Sequence, residues 1–141
     1  MMTQPHPDAG DIEFDVDAVD AAAGEARSAL TREVGGRVEE DVLADAELVL
    51  SELVANAAEH GTGPSIPVKV HVDGPGRGVR VTVRNRSDAT LPERPWRMPA
   101  PDAVRGRGLA VTETLSSRIE VHDGGGTVEV SAVIGPPSAP R

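Results

Sequence analysis

The sequence lacks cysteine, and this absence excludes disulfide bonds and thiolate metal sites. A chain without cysteine is also typical of a reducing cytoplasm. No run of about 18 apolar residues occurs, which excludes a helical membrane span. Residues 1–20 have neither a basic start nor an apolar core, so they do not resemble a secretory signal. We therefore expect a cytoplasmic protein with no membrane association.

Aromatic residues are almost absent, because Phe14 and Trp96 are the only two and tyrosine is missing. The hydrophobic core must therefore be built from Val, Leu, Ile and Ala. A length of 141 residues allows one domain with one core. An apolar share of 38% indicates a globular α/β domain rather than a disordered chain.

Lysine is nearly absent, since Lys69 is the single one, and although arginine is plentiful the net charge is -9. Such an acidic surface repels phosphate backbones, so direct nucleic-acid binding is not expected. Residues 84–107 are the exception, with six arginines against three acidic residues. A polyphosphate ligand beside this segment would explain the local excess. An arginine-rich loop that docks onto acidic neighbours would explain it equally well.

The apolar pattern predicts a single domain over residues 11–134, with flexible Pro- and Gly-rich tails at 1–10 and 135–141. Alternation and helical spacing predict five strands and three helices: strands at 11–17, 68–72, 79–84, 119–121 and 128–134, and helices at 19–34, 41–60 and 107–117. The turn residues between the second and third strands, and between the fourth and fifth, favour hairpins. The expected fold is a two-layer α/β sandwich, a mostly antiparallel mixed sheet with helices on one face. Residues from about 86 to 106 lack any period and are typical of an active-site lid.

Two polar residues on the longest predicted helix, Glu52 and Asn56, are the first candidates for chemistry. Their i, i+4 spacing places them side by side on the flank of the apolar stripe. An amide oxygen suits Mg²⁺, and a neighbouring carboxylate can orient or deprotonate a hydroxyl or water. Glu is also a common helix former, so two ordinary surface residues remain an alternative. His60, at the end of this helix, is more typical of a residue that interacts with the terminal carbonyls.

A glycine pair, Gly106-Arg107-Gly108-Leu109, directly precedes the third predicted helix. Glycines allow a backbone to approach phosphates closely, and a helix N-terminus attracts anions. The segment is neither a Walker A loop nor a dinucleotide fingerprint, because the required Lys-Ser/Thr pair and third glycine are missing. Taken alone, it is equally consistent with the end of a flexible loop. Gly124–Gly126 indicates a hairpin turn, and the role of Thr127 after it stays open.

In their order and spacing, these segments resemble the GHKL (histidine-kinase-like) ATPase superfamily, in the form found in bacterial anti-sigma-factor serine kinases. The stretch from Glu52 to Gly61, ELVANAAEHG, resembles the N-box. Gly106-Arg-Gly-Leu109 resembles the glycine box that ends the ATP lid, and Gly126-Thr-Val resembles the late glycine-threonine segment. The resemblance covers roughly residues 11–134.

The resemblance implies a Bergerat ATP-binding fold with ATP and Mg²⁺ as ligands. It implies that Asn56 binds Mg²⁺, that Glu52 is the catalytic carboxylate, and that Gly106, Arg107, Gly108 and Leu109 wrap the triphosphate, with Thr127 near the nucleotide. Family members bind a sigma factor and phosphorylate a serine of a STAS-type antagonist, often as homodimers.

One segment departs from the family pattern, which usually has Asp-x-Gly after the central strand. This chain has Asn85-Arg86-Ser87 instead. Asn85 can still accept a hydrogen bond from the adenine amino group, but without the charge that roughly doubles the strength of such a bond. Ser87 restricts the close backbone approach that glycine allows. The departure therefore bears on adenine affinity and specificity.

Three functions are compatible with these motifs. The first is an ATP-dependent protein serine/threonine kinase that acts as an anti-sigma-like switch, because Glu52 and Asn56 are both present. The second is a non-enzymatic partner-binding module that keeps the ATPase fold, as the Asn85-Arg86-Ser87 segment suggests. The third, an ATP-hydrolysing or histidine-kinase-like fragment, is least favoured because His60 lies inside the N-box segment and no separate phospho-acceptor domain is present.

Overall fold

A computed structural model describes residues 10–73, 78–87, 90–102 and 107–136. These ranges contain eight elements in the predicted order: β1 (Gly10–Asp17), α1 (Ala22–Val34), α2 (Glu40–His60), β2 (Ser65–Val72), β3 (Val79–Arg86), α3 (Arg107–Leu115), β4 (Arg118–Gly124) and β5 (Thr127–Ile134). The predicted five strands and three helices are thereby confirmed. Most of both predicted tails falls outside the described residues.

The strands form one sheet in the order β1-β2-β3-β5-β4. Every pairing within it is antiparallel, which agrees with the mostly antiparallel sheet expected from the sequence and leaves no parallel pair among the described strands. Two of these pairings, β2–β3 and β4–β5, are hairpins, whereas the chain passes through α1 and α2 between β1 and β2, and through α3 and β4 between β3 and β5. Asn85 lies opposite Val128, and Arg86 lies opposite Thr127.

The two faces of the sheet have opposite character because side chains alternate along each strand. One face carries the buried residues Val68, Val70, Val81, Val83 and Val130; α1 and α2 pack on it, and α3 packs on α2. The other face carries exposed or half-buried polar residues and is not covered by any described element. The fold is therefore the predicted two-layer sandwich with helices on one face.

The core is aliphatic, as the composition requires. Leu30, Leu50, Ile66 and Ile134 are its largest fully buried side chains. Trp96, from the loop that follows β3, is 6% exposed and also joins this core. Burial of each large apolar side chain stabilises the fold by about 1.5–3 kcal/mol.

Helix α2 crosses the sheet and positions most of the candidate site. Its predicted apolar stripe is confirmed: Ala46, Leu50, Leu53, Val54 and Ala57 are buried, and Leu43 packs half-buried against the core. The helix ends at Gly61, whose N–H donates to the Ala57 carbonyl at 2.8 Å. No helix in the described part of the chain is long and apolar enough to cross a bilayer.

Helix α1 begins three residues later than the predicted position 19. The Ala22 N–H donates to the Val19 carbonyl at 3.0 Å, and this turn precedes the helix. Val19 consequently lies 53% exposed instead of joining the apolar stripe. Helix α3 also ends two residues earlier than predicted, at Leu115.

Candidate functional site

The contact between α2 and the first turn of α3 lies at the centre of the candidate site. A side chain added at Gly108 would collide with the Glu52 carboxylate, and its Cβ would lie 3.3 Å from both Cβ and Cδ of Glu52. Glycine permits this close approach of the two helices, because an added Cβ would force the Glu52 side chain to move. The structure therefore brings together Glu52 and Gly108, which are 56 positions apart in the sequence.

Glu52 and Asn56 are both half-buried on the α2 surface that extends from this contact. Within the described ranges, neither side chain has a hydrogen bond or an ion pair to another residue. A half-buried carboxylate and amide without protein partners retain their capacity to bind a ligand. Their oxygen atoms suit a hard cation such as Mg²⁺, which also takes waters and phosphate oxygens as ligands.

The N-terminus of α3 supplies a second part of the site. Thr112 is fully buried and its hydroxyl donates to the Gly108 carbonyl at 2.9 Å, which fixes the first turn of the helix. Leu109 is half-buried and packs against the core. Arg107 is exposed and its guanidinium donates to the Pro101 carbonyl in the preceding loop. Gly106, also expected to contact a triphosphate, lies outside the described residues.

The C-terminal end of α2 meets the end of β3, which brings Asn85 to the same side of the sheet. Asn85 continues the alternation that directs Val81 and Val83 towards the helices. A Cβ at Gly61 would lie 2.9 Å from the Asn85 amide nitrogen and 3.2 Å from the Arg86 carbonyl oxygen. Asn85 therefore packs against the turn that ends the helix of Glu52 and Asn56.

Ser87 links three elements where the family pattern has glycine. Its side chain is 7% exposed and its hydroxyl donates to the His60 carbonyl at 3.4 Å. Its N–H donates to the Gly126 carbonyl at 2.9 Å. The hydroxyl thus occupies space beside the C-terminus of α2 that a glycine would leave free.

Thr127 is separated from Glu52 and Asn56, although it lines one cleft together with Asn85. It lies opposite Arg86 in the β3–β5 ladder and belongs to the face that the helices do not cover. The residue that shares the helix-covered face with Asn85 is the buried Val128, directly opposite it. The sequence analysis missed Val128 as a neighbour of the site. The alternation of Val128, Val130 and Ala132 already indicated that Val128 faces the helices.

The described arginine side chains of the segment 84–107 do not gather around one site. Arg94 forms a two-bond ion pair with Glu113 of α3, at 3.0 and 2.6 Å, and its third bond goes to the Ile119 carbonyl at 3.1 Å. Glu113 also accepts the Trp96 N–H at 2.9 Å. This cluster of Arg94, Trp96 and Glu113, which we call the clasp, fastens the first half of the loop to α3. Arg94 therefore follows the alternative that the loop docks onto acidic neighbours.

The clasp shifts the pKa values of its charged members. The hydrogen bond from Arg94 is the main reason why the pKa of Glu113 lies below its usual value, and the Trp96 N–H adds to this effect while burial opposes it. The same hydrogen bond raises the pKa of Arg94.

His60 lies at the last position of α2, and its exposed side chain is 3.9 Å from the carboxylate of Glu59.

Comparison with known proteins agrees with the fold. Residues 12–133 match the histidine kinase-like ATPase domain, so the chain belongs to that family. Among solved structures, it is similar to the RsbU and RsbW domains of Rv1364c from Mycobacterium tuberculosis, with a TM-score of 0.66 and 24% identity. That match covers 91% of this chain and 33% of the other. No curated protein matches the chain in sequence.

Proposed function

We propose that this protein is an ATP-dependent protein serine/threonine kinase of the anti-sigma-factor type. One observation carries the proposal: Glu52 and Asn56 lie half-buried next to the first turn of α3, and neither side chain has a hydrogen bond or an ion pair to another described residue. Family membership supports binding of ATP. The combination of a carboxylate, an amide oxygen and a helix N-terminus fits phosphoryl transfer, in which catalysis is mainly positioning and charge stabilisation.

Each residue has a distinct part in the proposed site. The Asn56 oxygen would hold Mg²⁺, which neutralises charge on the phosphates when bound. The backbone N–H groups at residues 106–109 would bind the triphosphate at the positive end of α3. Glu52 would accept the proton of the attacking serine hydroxyl. Asn85 would accept a hydrogen bond from the adenine amino group.

The partners follow from the resemblance to anti-sigma-factor kinases. We expect the chain to bind a sigma factor and to phosphorylate a serine of a STAS-domain antagonist. A homodimer and a cytoplasmic location belong to the same proposal. The Thr127 hydroxyl is not included in the proposed nucleotide site, because it lies on the other face of the sheet.

The test combines binding and transfer. Calorimetric titration with ATP should show Mg²⁺-dependent binding in the micromolar range, about 8 kcal/mol, which Asn56→Ala loses. Incubation with labelled ATP and a STAS-domain partner should label the partner's serine, and Glu52→Gln should abolish labelling while ATP still binds. Arg80→Gln, on the uncovered face, is the control and should behave as wild type. Equal transfer by Glu52→Gln and wild type would overturn the assignment of Glu52.

A second function, a partner-binding module without kinase activity, is favoured by one specific observation. The Ser87 hydroxyl, which donates a hydrogen bond to the His60 carbonyl, fills the position that the family keeps as glycine. If a folded sample binds no ATP, this second function replaces the first. Ser87→Gly should then restore measurable ATP binding.

A further inference from the structure

The uncovered face of the sheet has a cleft of about 420 Å³ and, adjoining it at Pro67 and Arg84, a second of about 360 Å³. The second, which we call the β3 cleft, lies where β2, β3 and β5 meet the turn after α2. Arg84, Arg86, Ser65 and Thr127 line it, together with the Gly63-Pro64 segment. Its residues are not those of the proposed nucleotide site, apart from Asn85 at the shared end of β3.

The turn after α2 forms a fixed wall of this cleft. The Thr62 N–H donates to the Arg86 carbonyl at 2.8 Å, and the Ala18 N–H donates to the Pro64 carbonyl at 3.0 Å. A Cβ at Gly63 would lie 3.7 Å from both Cβ and Cδ of Arg86, so this glycine packs on the Arg86 stem. The Arg86 side chain is thus supported from one side before any ligand binds.

Within the described residues, no ion pair compensates the charge of the two arginines. Arg84 and Arg86 are two positions apart on one face of β3, which separates their Cα atoms by about 7 Å. Neither forms an ion pair or a side-chain hydrogen bond within the described part of the chain. Glu129 lies directly opposite Arg84 in the ladder, yet the two form no ion pair. No carboxylate lines the β3 cleft among the described residues.

We propose that the β3 cleft binds a phosphate group, either free phosphate or a phosphate monoester. A phosphate between the two guanidinium groups would satisfy both, because each presents N–H pairs that match phosphate oxygens. The Ser65 and Thr127 hydroxyls supply further donors for its remaining oxygens. A dianion held there gains from both positive charges, whereas a monoanionic carboxylate offers only two oxygens. The inference does not depend on the proposed kinase activity, since the arginines and hydroxyl residues that it uses lie on the other face of the sheet.

The test follows backbone amide NMR shifts during titration at constant ionic strength and pH 7.5. The probes are inorganic phosphate and O-phosphoserine, with acetate and chloride as anion controls. We expect saturable shifts at Ser65, Arg86 and Thr127 with both phosphates and none with the controls. Tighter binding of O-phosphoserine would identify a phosphate monoester as the ligand, and equal binding would identify free phosphate.

Three variants assign the site. Arg84→Gln with Arg86→Gln should weaken phosphate binding at least about tenfold, because two charge-assisted contacts are lost. Glu129→Gln should tighten it by about two- to fivefold, since a neighbouring negative charge is removed. Arg80→Gln makes the same charge change as each arginine substitution, on the same strand and face but outside the cleft, and should leave binding unchanged. Equal weakening by Arg80→Gln, or shifts confined to the amides of Gly108 and Leu109, would overturn the proposal.

Discussion

At the scale of single residues, the candidate site depends on one close approach, that of Gly108 to Glu52. Spacing along the chain predicted that Glu52 and Asn56 are neighbours, because helix geometry fixes the positions i and i+4. It did not predict that Gly108 packs on Glu52, since the angle between α2 and α3 depends on packing between distant segments. The resemblance to a family placed Thr127 near the nucleotide, whereas strand alternation places it on the other face of the sheet.

Replacing Gly108 with alanine tests this contact. Alanine favours helix, so without the clash the substitution would stabilise α3 by up to about 1 kcal/mol. The added Cβ instead collides with the Glu52 carboxylate, and we expect unfolding to become easier by about 1–3 kcal/mol. Urea denaturation followed by circular dichroism measures the difference.

Two further variants make the prediction about Gly108 specific. Gly24→Ala in α1 places a Cβ where no atom lies within 4 Å, so it should be neutral or stabilising. The pair Glu52→Ala with Gly108→Ala removes the colliding carboxylate and should regain most of the lost stability. A destabilised Gly24→Ala, or a double variant as unstable as Gly108→Ala, would contradict the account.

At the scale of elements, hydrophobic periodicity predicted every strand and helix that the structure describes. The stripe from Ala46 to Ala57 and the alternation in β5 needed no tertiary information, because burial of one face determines both patterns. The loop after β3 could not be predicted in this way. Its structure depends on the clasp, in which Arg94, Trp96 and Glu113 meet across 19 positions of sequence.

Glu113→Gln tests the clasp through its dependence on pH. The substitution weakens the ion pair and the bond to the Trp96 N–H, and because Arg94 is partly exposed we expect a loss of only about 1 kcal/mol at pH 7. The pKa of Glu113 is lowered in the folded protein from the ordinary 4.5. Its contribution is therefore complete above that ordinary value and is lost as the pH falls through the lowered folded pKa.

Urea denaturation of wild type and Glu113→Gln at several pH values measures this contribution. The two proteins should differ at pH 7, and the difference should shrink steadily as the pH falls below 4.5, the ordinary value for the group. Glu120→Gln on β4 serves as the control, because Glu120 is exposed and makes no ion pair within the described residues. A constant difference between wild type and Glu113→Gln at all pH values would show that the carboxylate charge does not stabilise the clasp.

At the scale of the whole molecule, the sheet separates two sets of polar residues. Glu52, Asn56 and Asn85 lie on the helix-covered side, and Arg84 and Arg86 lie on the other. The two sides are nevertheless close at the end of β3, where Asn85 packs against Gly61 and Arg86 packs against Gly63. The turn at residues 61–63 therefore touches both candidate sites.

Ligand stabilisation tests whether these two sites act independently. Saturating each site at about ten times its Kd should raise the free energy of unfolding by about 1.4 kcal/mol, because ligands bind only the folded state. Asn56→Ala should remove the contribution of Mg²⁺-ATP and keep that of phosphate, and Arg86→Gln should do the reverse. Asn56 and Arg86 share no contact, so the effects of the two substitutions on stability should add within about 0.5 kcal/mol. Thermal and urea unfolding of the single and double variants, with each ligand alone and with both, provide the measurement. A deviation from additivity above about 1 kcal/mol would show instead that the turn at residues 61–63 couples the nucleotide site to the β3 cleft.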